Sequence, residues 1–141
     1  MPSATTSDFQ HHLFMEKVFW GVDWTAYSNI FIALYLVAPN LNDPASGTEV
    51  STDSTNYARQ SVPVASGSWT VNGLEYSNTA EITYGQPSAT WGIIVGAGLF
   101  DSATGGELLY YAPLTTSKSV SAGDGAPKIL ANQLRITRAT C

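Results

Sequence analysis

Charge is scarce along this chain. Six Lys and Arg and eleven Asp and Glu occur among 141 residues, 12% of the total, where a soluble domain ordinarily carries about a quarter. The net charge of -5 argues against the basic footprint that nucleic-acid binding needs, so no nucleic-acid partner is expected. Cysteine is nearly absent: Cys141 stands alone at the last position, which excludes an internal disulfide and leaves no activated thiol. Long apolar runs are missing too. The longest, Ile30 to Ala38, falls far short of the roughly 20 residues that cross a bilayer, and no membrane partner is expected. The opening MPSATTSDF has neither a basic start nor an apolar stretch, so no secretory signal is expected.

Catalytic and metal-binding patterns are equally thin. The two histidines, His11 and His12, are adjacent; on a helix they point about 100° apart and cannot share a metal from one face. The fragments DSATGG and GDG each offer one carboxylate where calcium wants several. No serine sits in a G-x-S-x-G turn, and nothing singles out a carboxylate pair. Catalytic residues, metal ligands and cofactors are therefore expected to be none.

What fills the space is Thr, Ser, Asn and Gly, a composition that suits an all-β domain with a polar, uncharged surface. The chain is long enough for one core without staples. Ser7 with Gln10 has capping-box spacing, Phe9, Leu13, Glu16 and Trp20 recur on one side, and Gly21 is placed to end the turn-by-turn pattern. This predicts an N-terminal helix. Phe14, Val18 and Phe19 make its other sides apolar, so a covering body or partner is expected.

From residue 29 the period becomes two. NIFIALYLV, 29–37, is apolar on both faces and predicts a central strand. Residues 38–55, rich in Pro, Asn, Asp, Ser and Gly, predict a long surface loop able to contact something. YARQSVPV contains Pro63 and reads as an edge strand. WTVNGLEYS has Asn72-Gly73 at a hairpin turn. TAEITYG alternates, with Ala80, Ile82 and Tyr84 inward. LFDSATGGELLYYAPL predicts two strands joined by a Gly-Gly turn, and SVSAGDGAPKIL a similar connection. The last fourteen residues hold Lys128, Arg135 and Arg138 with no acid, a small basic edge on an acidic body.

In ATWGIIVGAGLF, 89–100, alternate positions put Trp91, Ile93, Val95, Ala97 and Leu99 in one row and Gly92, Ile94, Gly96 and Gly98 in the other. A row of glycines implies that something lies close to the backbone. The expectation is a second layer, either the N-terminal helix or a neighbouring subunit. The four tryptophans, Trp20, Trp24, Trp69 and Trp91, with the seven tyrosines read either as the lining of a sugar groove or as core and interface; Trp91 and Tyr84, on inward rows, read as core, and Trp20 and Trp24 as anchors of a protein contact.

The succession FIALYLVAPN, GTEVS, NYARQSV, NGLEYSNTAEITYG and WGIIVGAGLFDSATGGELLYYAPL, over about residues 28 to 136, resembles a family of small structural proteins of tailed bacteriophages and prophages. Its most specific stretches are YARQ, SNTAEITY and LFDSATGGELLYY. Members are labelled tail-fibre or minor structural proteins, and similar ones decorate the outside of the head. The resemblance implies a virion part with an antiparallel β-sandwich or jelly-roll-like body. The expected organisation is an N-terminal arm and helix over 1–24 and the β body over 25–141. The expected role is a capsid decoration or cement protein, a homotrimer assembled in the host cytoplasm that binds the phage major capsid protein on the outer surface of the head. Its expected interface comprises Phe9, Leu13, Phe14, Trp20, Trp24, Gly92, Gly96, Gly98, Arg135 and Arg138. A tail or tail-fibre component contacting host surface glycans is the alternative.

Overall fold

The computed structural model describes residues 5–6, 15–21 and 27–137. The elements run β1 (Thr5–Thr6), α1 (15–20), β2 (Asn29–Val37), β3 (Thr48–Glu49), β4 (Gln60–Pro63), β5 (Trp69–Asn72), β6 (Glu75–Asn78), β7 (Ile82–Thr83), β8 (Gly92–Phe100), β9 (Leu108–Val120), β10 (Lys128–Ile129) and β11 (Arg135–Thr137). Every pairing is antiparallel. The large sheet has the order β1-β9-β8-β2-β3, with β4 on the same edge of β2 as β3. A three-stranded sheet, β11-β6-β5, and the pair β10-β7 lie against it. The fold is an all-β antiparallel sandwich with one short helix near its N-terminus.

β2 is central for the reason its composition suggests. Ile32, Ala33, Leu34 and Tyr35 are all buried, and the alternation sends them to two different clusters. Ile32 and Leu34 join the inter-sheet core with Val62, Ile82, Tyr84, Trp91, Leu99 and Val120. Ala33 and Tyr35 join a second cluster on the opposite face with Phe100, Leu108 and Tyr111. Burial on both faces, rather than the one-sided alternation of an exposed antiparallel sheet, explains the continuous apolar run.

One edge of β2 is shared by β4, paired at residues 29–32, and β3, paired at 35–37. Tyrosine side chains serve the backbone in the gap between them. The Leu34 N–H donates to Tyr57 Oη at 2.9 Å, and Tyr84 Oη donates to the Ile32 carbonyl at 2.9 Å. Buried backbone groups must be paired, and here two phenols complete what a continuous strand would have supplied. The same rings form an aromatic set with Trp91: Tyr57 and Tyr84 stack at 6.1 Å, and Trp91 meets Tyr57 edge-on at 5.4 Å. Trp91 and Tyr84 are thus core residues, as the sequence suggests.

The β8 row departs from simple alternation. Its register to β9 slips between Ile94 and Gly96, where Val95 alone stands opposite residues 114–117 of β9, and such an irregularity interrupts the alternation of faces along the pair. Ile93 is exposed while Ile94 is buried, and the inward set is Trp91, Ile94, Ala97 and Leu99. The glycine row is filled from within the sheet. A side chain at Gly96 would run into the Tyr111 ring, and one at Gly98 would meet Tyr35 and Leu108. Two tyrosines from the flanking strands lean over the bare backbone and meet each other edge-on at 5.7 Å.

Other expectations are also revised. Residues 38–55 are not merely a surface loop: they contain a 3-10 turn, Pro44–Ser46, and β3, and they bury Val50 and Thr55. The hairpin loop is Gly73-Leu74, because Asn72 still pairs with Glu75; Gly73 takes φ +63. Ala80 is exposed, since β7 is only two residues long and lies outside the alternation at that point. The segment after β9 is no hairpin: β10 pairs with β7, and β11 with β6. Residues 15–20 are helical and Gly21 follows at φ +68, as the C-terminal glycine implies. The rest of the predicted helix and the boundary at 24/25 lie outside the described residues.

Candidate binding cleft

An apolar cleft of about 570 Å³ opens between the large sheet and the β11-β6-β5 sheet. The large sheet contributes Ile30, Leu99 and Tyr110; the small sheet contributes Trp69, Val71, Tyr76 and Ile136; Tyr27 and the 64–66 turn close it. Register explains the small-sheet wall. Val71 pairs with Tyr76 and Tyr76 with Ile136, so these three form one row, and Trp69, two residues before Val71, shares their face. Leu99 pairs with Tyr110 on the facing sheet. Trp69 is held by its indole, whose Nε1–H donates to the Pro63 carbonyl at 3.2 Å.

The polar content of the cleft is a set of phenols. Burial raises the Tyr110 pKa, and the neighbouring Tyr76 raises it further. Burial likewise raises that of Tyr27, with Asp101, Tyr110 and Glu107 adding to it. Tyr110 therefore lies within electrostatic reach of both other hydroxyls. Among the described residues these three hydroxyls form no hydrogen bond. An apolar lining with a few free polar tips is the make-up of a ligand site.

The turn beside the cleft is fixed by Arg59. Its Nε and Nη2 donate to the two carboxylate oxygens of Glu49 at 2.9 and 2.8 Å, and Nη1 donates to the carbonyls of Ser102 and Gly105 at 2.9 and 2.8 Å. Its guanidinium lies 3.7 Å from the Phe100 ring centroid. Burial opposes its charge, but the contacts to Glu49 outweigh this and the pKa rises. Glu49 Oε1 also accepts from Tyr57 Oη at 2.8 Å. One network thus joins β2, β3, the YARQ segment and the β8–β9 turn. Asn78 does comparable work in SNTAEITY: fully buried, it donates to the carbonyls of Ala80 and Leu130 and accepts from the Leu134 N–H. Two of the most specific stretches, YARQ and SNTAEITY, are therefore fold-determining, because each supplies a buried polar group with several partners.

Of the predicted interface residues, Trp20, Gly92, Gly96, Gly98 and Arg135 are among the described residues. Phe9, Leu13, Phe14, Trp24 and Arg138 lie outside the described residues. Trp20 is 75% exposed on α1, beside Phe19 at 70%. Gly96 and Gly98 are covered by the tyrosines, and Gly92, at φ +109, lies over Leu36. Arg135 is on the edge strand β11, with Nε 3.9 Å from Glu75, while Lys128 pairs with Glu81 at 3.1 Å. The acid-free C-terminal segment thus meets acids from β6 and the approach to β7. Among the described residues no three His, Cys, Asp or Glu converge as a metal site, and no helix is long and apolar enough to cross a membrane.

Sequence reasoning named Trp69 and the tyrosines as possible groove lining without locating the groove. The usable signal was the two-residue hairpin, which puts Trp69, Val71 and Tyr76 on one face.

An antiparallel sandwich with an aromatic cleft and with buried polar side chains spent on architecture defines a structural β-domain. The chain belongs to the family described as podophage GP4 fiber I protein gp80, whose sequence profile matches residues 5–137. It is accordingly a phage structural protein of the tail-fibre type, a component of the virion. No curated protein matches it.

Proposed function

We propose that this protein is a non-enzymatic fibre component whose aromatic cleft binds a saccharide of the host surface. The observation that carries the reading is the set of unpaired hydroxyls of Tyr27, Tyr76 and Tyr110 beside Trp69 in an otherwise apolar cleft. A pyranose has the matching character, with C–H faces that stack on aromatic rings and hydroxyls that need partners. The fibre description of the family supports this placement over capsid decoration.

Binding of the full-length protein to a panel of saccharides tests the reading. Trp69→Ala should weaken the best ligand about tenfold, the equivalent of one aromatic contact of roughly 1.4 kcal/mol. A wild-type protein that binds no saccharide at all defeats it.

Decoration of the head by a homotrimer bound to the major capsid protein is the other reading. The exposed Val18, Phe19 and Trp20 of α1 favour attachment to another virion protein, wherever on the particle that protein sits. Copy number per particle separates the two, since a head decoration requires hundreds and a tail fibre a handful.

A further inference from the structure

The β8–β9 turn carries two carboxylates, Asp101 and Glu107, a few residues beyond the cleft walls and outside the lining itself. Asp101 lies two residues beyond Leu99, and Glu107 three residues before Tyr110, both of which are cleft walls. The turn is locked in place: the Glu107 N–H donates to Asp101 Oδ1 at 2.8 Å, and Arg59 holds the carbonyls of Ser102 and Gly105. Tyr27 feels both carboxylates, Asp101 more strongly. Among the described residues neither acid is in an ion pair, whereas Arg59, Lys128 and Arg135 are each engaged with another carboxylate, Glu49, Glu81 and Glu75. The negative charge at this end of the cleft is therefore uncompensated by these cations.

From this we infer that the cleft discriminates by charge: it takes neutral or amine-bearing saccharides and rejects those carrying carboxylate, with Asp101 and Glu107 as the specificity-determining residues. The inference rests on the saccharide reading above. Two negative charges near the end of an apolar cleft repel an incoming anion, and like-charge juxtaposition is how binding sites exclude close analogues of a ligand. The aromatic walls supply affinity without regard to charge, so selectivity falls to the rim.

The test uses matched probes: the methyl glycosides of glucose, galactose and mannose, their uronic acids, and the corresponding 2-amino sugars, with binding to the full chain followed by saturation-transfer NMR. At low salt the best neutral glycoside should bind about tenfold more tightly than its uronic acid, and about 0.5 M salt should narrow that gap. Glu107→Gln, and the double variant Asp101→Asn/Glu107→Gln, should bring the uronic acid close to the neutral sugar. The amide oxygen at 101 keeps the acceptor for the Glu107 N–H, and an unchanged urea midpoint checks that the turn is intact. Equal binding of neutral and acidic probes by the wild type, or a gap that both variants leave unchanged, overturns the inference while leaving the saccharide reading in place. Failure of every probe to bind defeats that reading and this one together.

Discussion

Arg59 and Glu49, ten residues apart in the chain, meet through two parallel hydrogen bonds of 2.9 and 2.8 Å, with the arginine side chain only 8% exposed. The fork matches a carboxylate in a way that an ammonium cannot. Its remaining amino group anchors the β8–β9 turn, which begins two residues beyond the cleft residue Leu99.

Arg59→Met should cost about 3 kcal/mol, because it leaves a part-buried carboxylate and two turn carbonyls without their donor. Arg59→Lys should recover little of it, since one ammonium cannot serve Glu49 and both carbonyls at once. Urea unfolding measures both; a lysine variant as stable as the parent would show that the fork geometry is unimportant.

The phenols beside β2 should be as sensitive as a backbone pairing. Tyr84→Phe removes the donor to the Ile32 carbonyl, and Tyr57→Phe removes the acceptor of the Leu34 N–H. Each leaves a buried backbone group orphaned, at a cost of about 1–3 kcal/mol. The expected signature is a lower urea midpoint with an unchanged slope.

Gly96 and Tyr111 should be energetically coupled. Gly96→Ala drives a methyl group into the Tyr111 ring and should destabilise by about 1–3 kcal/mol. Tyr111→Ala loses packing, but the double variant should cost less than the sum of the two, with a coupling of at least about 0.5 kcal/mol. Tyr111→Phe should be neutral or stabilising, because the Tyr111 hydroxyl is buried without a partner. Strict additivity in the first cycle would contradict the contact.

Alkaline pH should unfold the protein through its buried tyrosines. Burial, with Glu49 adding to it, pushes Tyr35 up to about 12, and burial raises Tyr57 and Tyr84 further. A phenol whose folded pKa lies above its unfolded value of 10.0 binds its proton more tightly when folded. That contribution is complete below pH 10 and is lost as pH rises through the folded value. Between pH 10 and 12 each such tyrosine should remove about 1.4 kcal/mol per pH unit. Phenolate absorbance should appear in step with the loss of near-ultraviolet circular dichroism; titration of all tyrosines near pH 10 in a folded protein would refute it.

How far the chain can be read locally is clear from particular elements. The apolar run 29–37 coincides with β2, Gly21 ends the helix, and Pro63 sits on an edge strand, because burial on two faces, chain reversal and a missing N–H are properties of a few consecutive residues. The glycines of β8 correctly announced a close approach. What approaches them, Tyr35 and Tyr111, was decided by cross-strand register, and it is Ile94 rather than Ile93 that faces the core.

By itself, then, the amino-acid order determined an all-β body, its central strand, its hairpin and its apolar helix, since each rests on a short-range period or a turn residue. Tertiary structure alone decided the cleft, the tyrosines that complete the β2 edge, and the Arg59 network. The bonds of the tyrosines to β2 and of Arg59 to the β8–β9 turn join residues 23 to 52 positions apart, and no local period records which distant residues close packing will bring together.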